Sequence, residues 1–265
     1  MKAILPDELW EKIEPLLPRP KRRRFRHPGR KPLDRRQVLT GILFVLRTGI
    51  RWNDLPCELG WGSGSRCRRY LKRWHQAGVW NRLYALLLIE LDDAERIDWS
   101  RAAVDSSSVR ALGGGTKTGK NSTDRGRLGS KHHAVVESHG IPLGAITTAA
   151  NVADVTALPA VVDAIPAIRS KRRRRGKRRP KKLYADRAYD SQPHRRRMRR
   201  RGIEPVFAKR RTKHGSGLGI YRWPVERFFA WLHRYRRLRL RTDWDARMHN
   251  AFLALALSCI CFGFL

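Results

Sequence analysis

Ala102-Ala103-Val104-Asp105 is a short apolar run closed by an acid, and the same pattern returns at Leu183-Tyr184-Ala185-Asp186. Runs of this length and character read as buried strands, so each aspartate sits at a strand end. A third acid, Glu226, stands in Arg222-Trp223-Pro224-Val225-Glu226-Arg227-Phe228-Phe229, where the pattern reads as the start of an amphipathic helix. The three carboxylates stand out because 58 Lys and Arg face only 23 Asp and Glu in the chain. Two strand-end aspartates and a helical glutamate are a donor set suited to two divalent cations in phosphodiester chemistry. Taken singly, each has a plainer reading. Asp105 would be a turn former, Asp186 a partner for Arg187, and Glu226 a partner for Arg222 one turn earlier.

The balance of +35 on 265 residues would repel itself without a polyanion nearby, and nucleic acid is the expected partner. An anionic membrane surface is the weaker alternative, because the basic residues alternate with globular-looking apolar segments and form no single basic amphipathic helix. With 41% hydrophobic residues and nine Trp, the chain can bury a real core. Residues 1–17 lack the uninterrupted apolar stretch of a signal peptide. The apolar residues 251–265 fall short of the roughly 20 needed to span a bilayer, and read as a buried helix. Cys57, Cys67, Cys259 and Cys261 have no CxxC spacing, so a zinc site is not expected and a reduced, cytoplasmic protein is.

The first 95 residues read as helical. Pro6-Asp7 opens a helix with Leu9, Trp10, Ile13, Leu16 and Leu17 at helical spacing, stopped by Pro18. A Pro- and Arg-rich connector, residues 19–31, follows. Asp34 caps a second helix that Gly49 ends. Residues 65–77 form a third, with Cys67, Leu71 and Trp74 toward a core and Arg66, Arg69 and Arg73 on the other face; Trp80, Leu83, Leu87 and Leu91 mark a fourth. Short helices with one basic face resemble a helix-turn-helix unit whose third helix enters a major groove, the plain alternative being a solvated face.

From Arg101 the pattern changes to strands at 102–105, 133–137 and 141–149, the last two joined by a turn at Ser138-His139-Gly140. A helix is expected over 154–168, then a solvated or DNA-facing basic run at 169–182, a strand at 182–185, a basic helix at 192–201, a strand at 204–208 and a helix from near Arg222. The order is three strands, helix, strand, helix, strand, helix. That order matches an α/β, ribonuclease-H-like mixed-sheet catalytic domain over residues 96–265, preceded by the helical DNA-binding domain of residues 1–95.

At Ala103-Val104-Asp105-Ser106-Ser107-Ser108-Val109-Arg110, at residues 124–133 and 146–155, at Ala185-Asp186-Arg187-Ala188-Tyr189-Asp190-Ser191 and at residues 222–238, the chain resembles the DDE transposases of the IS5 family of bacterial insertion sequences. Trp52-Asn53-Asp54-Leu55-Pro56 and residues 74–80 resemble that family's helical DNA-binding region. Ala188 stands where the family commonly has Gly, and Gly219 and His233 where it often has Tyr and Lys. The resemblance implies that Asp105, Asp186 and Glu226 hold two Mg2+ ions, with Mn2+ a substitute. It implies cleavage of the 3′ strands at the element's terminal inverted repeats and direct transesterification into target DNA, by a homodimer or larger complex. A non-catalytic helix-turn-helix protein, an inactive remnant, and a nuclease without strand transfer are the alternatives.

Around the acids, Arg222 sits one turn before Glu226 and can reach the same phosphate. Trp223 either stacks on an unpaired base or packs beside Phe228 and Trp231. Arg227 and Arg234 are candidates to grip DNA backbone, and Arg241 to be simply solvated. Lys131-His132-His133 is the one histidine cluster with a functional reading, a contact from Lys131 to DNA phosphate. Asp154 and Asp190 read as helix caps.

Overall fold

A computed structural model describes residues 3–19, 26–27, 31–168, 179–211 and 217–265. Four helices come first: α1 (Asp7–Ile13), α2 (Arg35–Thr48), α3 (Gly64–Gln76) and α4 (Val79–Asp93). They are followed by β1 (Arg101–Ala111), β2 (Gly119–Lys120), β3 (Leu128–Glu137), β4 (Pro142–Ala149), α5 (Asp154–Asp163), β5 (Lys182–Ala185), α6 (Gln192–Arg200), β6 (Glu204–Phe207), α7 (Gly219–Leu232), α8 (Arg236–Arg239), β7 (Leu240–Arg241) and α9 (Ala246–Phe262).

Local chemistry sets the helix ends. Asp34 Oδ1 accepts from Gln37 N at 2.9 Å and starts α2, and Gly49 ends it in the left-handed region at φ 74°. Gly64 opens α3 against the carbonyl of Trp52, where a Cβ would lie 1.6 Å from that oxygen. Only glycine allows so close an approach, and it seats the Trp52–Asp54 turn on α3.

The sheet is mixed and centred on β1. It runs antiparallel to β3, with Asp105 opposite Ala134, and parallel to β5, with Ala103 opposite Tyr184. β4 lies antiparallel on the far side of β3, and β6 parallel on the far side of β5. An antiparallel three-strand meander with a fourth and fifth strand parallel to the first is the ribonuclease-H-like order read from the sequence.

Strand alternation puts Asp105, Ser107, His132 and Ala134 on one face, covered by α7 and α9, and Ser106, Lys131 and His133 on the other, covered by α5. The core does not divide between helices and sheet. Trp52 stacks on Phe252 of α9 at 5.6 Å, and the Tyr84 hydroxyl donates to the Pro142 carbonyl at 2.8 Å. α9 is buried along most of its length, as expected of the apolar C-terminal stretch. No helix among the described residues is long and apolar enough to cross a membrane.

Several expectations are corrected. β1 runs six residues past its expected end at Asp105, to Ala111, because β3 and β7 continue to pair with its polar half. α5 stops at Asp163, and Pro166 cannot continue it. α7 starts at Gly219, one turn earlier than expected. Asp190 is no cap. Ser191 holds the cap position of α6, while the Asp190 carboxylate receives Arg195 at 2.7 Å and the Arg210 N–H at 2.8 Å. Asp154 sits inside the first turn of α5 and makes no cap bond; its side chain goes to Ser106 and Lys131 instead.

Arg241 is not solvated. It is 1% exposed and donates to the carbonyls of Asp243, Lys117, Thr116 and Trp244 and to Ser130 Oγ. Of the two basic runs, residues 20–25, 28–30 and 169–178 lie outside the described residues.

Candidate active site

The parallel pairing of β1 with β5 brings two acids to one edge of the sheet. β1 passes Asp105 where Asp186 follows the end of β5, each two residues beyond the Ala103 and Tyr184 pair. The Asp186 carboxylate turns back on its own chain, Oδ1 accepting from Ala188 N at 2.9 Å, and so caps the short turn Arg187–Tyr189. Asp105 Oδ1 accepts from Ser106 N at 2.7 Å, and Oδ2 accepts from Arg222 Nη2 of α7 at 2.9 Å. Arg222 thus places its positive charge on the first acid. Its Nε is buried and unpartnered.

Burial pushes the Asp105 carboxyl above the usual carboxylate range, and the Asp186 charge adds to this against the pull of Ser106 N–H and Arg222. A neighbour that the sequence reading passed over is Tyr189. It is 1% exposed, its hydroxyl has no hydrogen-bond partner, and burial together with the charges of Asp105, Asp154 and Asp186 holds it well above the ordinary phenol range. The signal for it lay in the Asp186-Arg187-Ala188-Tyr189 block, where only the acid was given a role.

Asp154, read from the sequence as a helix cap, instead joins the neighbourhood of the site. Its Oδ1 accepts from Lys131 Nζ at 3.0 Å and from Ser106 Oγ at 2.9 Å. Lys131 also donates to the Val152 carbonyl, so it has two internal partners. His132 and His133 are fully buried. His133 Nε2 bonds Thr148 Oγ1 at 2.8 Å, and His132 Nε2 meets His249 Nε2 at 2.7 Å.

Glu226 lies on α7 one turn after Arg222, with an exposed side chain. Among the described residues, no group of three His, Cys, Asp or Glu side chains is arranged to hold a metal ion; the contacts join Asp105 to Arg222, and Asp105 feels the charge of Asp186. Trp223 is 45% exposed, which removes the core-packing reading. The Arg227 guanidinium lies 4.2 Å over its ring and 4.8 Å from that of Trp231, and donates to the His139 carbonyl. Arg234 is exposed. On α3, Arg69 and Arg73 are exposed, and with the half-buried Arg66 and with Lys31 they line one groove.

Residues 5–84 match the family described as "Putative transposase of IS4/5 family", and residues 100–261 match the "Transposase DDE domain". The "Putative transposase for insertion sequence element IS402" of Burkholderia cepacia is 59% identical over 150 residues, 57% of this chain and 71% of that protein. A 16.2 kDa uncharacterized protein of the same insertion element and organism is 61% identical over 119 residues, 45% of this chain and 81% of its own length. A solved pre-cleavage Mos1 transpososome is 10% identical with a TM-score of 0.30, over 89% of this chain and 80% of that one, too slight a likeness to carry the fold. The DDE match spans more than half of the chain and falls on the sheet that presents Asp105 and Asp186, and with the helical part matched as well the chain belongs to the DDE transposases of IS4/5-family insertion sequences.

Proposed function

We propose that the chain binds the ends of its own mobile element, cuts their 3′ strands by hydrolysis and joins the freed 3′-OH groups to target DNA by direct transesterification. The observation that carries this reading is the meeting of Asp105, Asp186 and Arg222 at one edge of a ribonuclease-H-like sheet. The pair is an all-oxygen donor set, the kind that Mg2+ prefers, and a guanidinium already balances its charge. Asp105 and Asp186, completed by Glu226 from α7, are the residues that would hold Mg2+, with Mn2+ a substitute. When bound there, divalent cations supply Lewis acidity and an activated water.

The chain's own groups do the rest. Arg222 leaves Asp105 for the scissile phosphate, with its free Nε as a further donor. The exposed Trp223 ring, braced from one side by Arg227, offers a surface for an unpaired base. Arg66, Arg69 and Arg73 of α3 read the element's ends, within a recognition unit formed by residues 1–95, while Arg227 and Arg234 hold backbone phosphates. Two ends must be paired, so the active complex is at least a dimer, and DNA in the cytoplasm is the substrate.

The test is incubation of labelled end duplex with plasmid and Mg2+. Joined product is expected, and it is lost in Asp105→Ala while end binding survives. Nicking without joining would make the protein a nuclease, and binding without either would make it a non-catalytic DNA-binding protein.

A further inference from the structure

Tyr189 presents a polar group that the fold itself does not use. Its ring is buried in the turn capped by Asp186, its hydroxyl has no partner, and the charges it feels are those of Asp105, Asp154, Asp186 and Arg222. A buried hydroxyl without a partner costs free energy and destabilises the protein unless another state of the molecule satisfies it. Asp105 is where such a partner becomes necessary. In the free protein its Oδ2 is held by Arg222, and the proposed function sends Arg222 to a phosphate. That departure leaves a half-buried carboxylate oxygen short of a donor, in a site where burial already penalises its charge.

We propose that Tyr189 is a positioning residue, whose hydroxyl takes over as hydrogen-bond donor to Asp105 when Arg222 turns to the phosphate of bound DNA. The exchange keeps Asp105 oriented for its cation while the arginine works on the substrate, and it gives the hydroxyl the partner it lacks. No bond is made or broken, and the phenol keeps its proton throughout. Asp154 keeps its cation Lys131 and the Ser106 hydroxyl, both on Oδ1, when DNA binds, whereas Asp105 is the acid that loses its charged donor. The Asp186 carboxylate is turned toward the Ala188 N–H, which leaves Asp105 as the acceptor that loses a donor.

The inference rests on the proposed function, and the experiment separates the two. Tyr189→Phe in the full chain removes only the hydroxyl. Without DNA or cation its melting temperature is expected to equal or exceed that of the wild type, because no bond is lost. Mn2+ titrations followed by electron paramagnetic resonance are then run with and without end duplex. The affinity of the DNA complex is expected to fall about tenfold, the lower end of what loss of a ligand's hydrogen-bond partner costs, and that of the free protein less than about twofold. In cleavage, kcat falls with KM unchanged. A wild-type-like Mn2+ affinity in the complex would overturn the inference. So would an equal loss with and without DNA, or a lowered melting temperature in the free protein. If the wild type itself neither binds Mn2+ nor cleaves, the proposed function fails first and takes the inference with it.

Discussion

Replacing Arg241 with Ala tests whether a cation in this very basic chain is there to hold the fold or to hold DNA. Arg241 Nε donates to the Asp243 carbonyl at 3.0 Å, Nη1 to the Lys117 carbonyl at 3.1 Å and to Ser130 Oγ at 2.7 Å, and Nη2 to the Thr116 and Trp244 carbonyls at 2.6 and 3.2 Å. Together these tie β7 to β3, to the loop before β2 and to the approach to α9, where Thr116 Oγ1 also accepts from Ala246 N. Hydrogen bonds to a charged group are worth about 1.5 to 3 kcal/mol each but do not add, and truncation of a buried charged residue typically costs about 3 to 5 kcal/mol. At about 2 to 4 °C per kcal/mol for a chain near this size, the melting temperature falls by on the order of 10 °C. Urea unfolding measures the loss, with the exposed Arg239→Ala as control, expected within about 0.5 kcal/mol of wild type. Where Arg241→Ala remains folded, the salt dependence of its DNA affinity is unchanged, since no phosphate contact is lost. A variant as stable as wild type, or one with a flatter salt dependence, refutes the assignment of Arg241 to the core.

Arg69→Ala combined with Arg73→Ala in the full chain should erase the preference for element ends over random duplex, each base contact discriminating by about 1 to 3 kcal/mol; equal footprints on both sequences by the wild type would move recognition elsewhere. Acid should unfold the protein through its buried histidines. Burial holds His133 down at about 4 and His249 at about 3 against an ordinary 6.5, so stability present above pH 6.5 is lost as the pH falls toward those values. For His133 that shift is worth on the order of 3 kcal/mol, read as a fall in melting temperature over this window, and a flat profile from pH 6.5 to 4 would contradict it. Asp105 has the opposite sign. Its carboxyl is raised, so the stability it contributes at low pH is lost as the pH rises through its folded value, and at neutral pH the ionised group is a cost. Asp105→Asn is therefore expected to melt at or above the wild-type temperature in chelator, and a drop of several degrees in calorimetry would show Arg222 outweighing burial.

What was legible in the sequence follows from how local the cause is. The Asp34 cap, the Gly49 stop and the β5 run depend on neighbours within a few residues, and the structure has them where the pattern places them. β2 and β7 are two residues each and carry no periodicity; their pairing with β3 and β1 makes them strands. Buried arginines were the least visible. Arg195, Arg237 and Arg241 look like any other cation in a chain of 58, and only the tertiary carbonyls and the acids Asp190 and Asp243 show that they are internal.

In the site, Asp105 and Asp186 could be paired from strand order. The roles of Asp154 and Tyr189 depend on how α5 and the turn after β5 lie against β1, which no spacing encodes. The continuity of the core from α4 and the Trp52 turn into α9 is likewise a property of packing between segments more than 150 residues apart.

Glu226 is the residue on which the account is most exposed, because it completes the proposed cation site from α7, while among the described residues no group of three His, Cys, Asp or Glu side chains is arranged to hold a metal ion. The direct measurement is the single-turnover rate of 3′-strand cleavage on end duplex in Mg2+, for wild type and Glu226→Gln, with end affinity measured in parallel. A lost ligand to a cation that contributes several kcal/mol to the transition state predicts a rate at least about a hundredfold lower. End affinity should stay within about twofold, because the glutamine keeps the shape of the side chain and the DNA-facing arginines are untouched. Cleavage by Glu226→Gln at the wild-type rate would contradict the three-acid site.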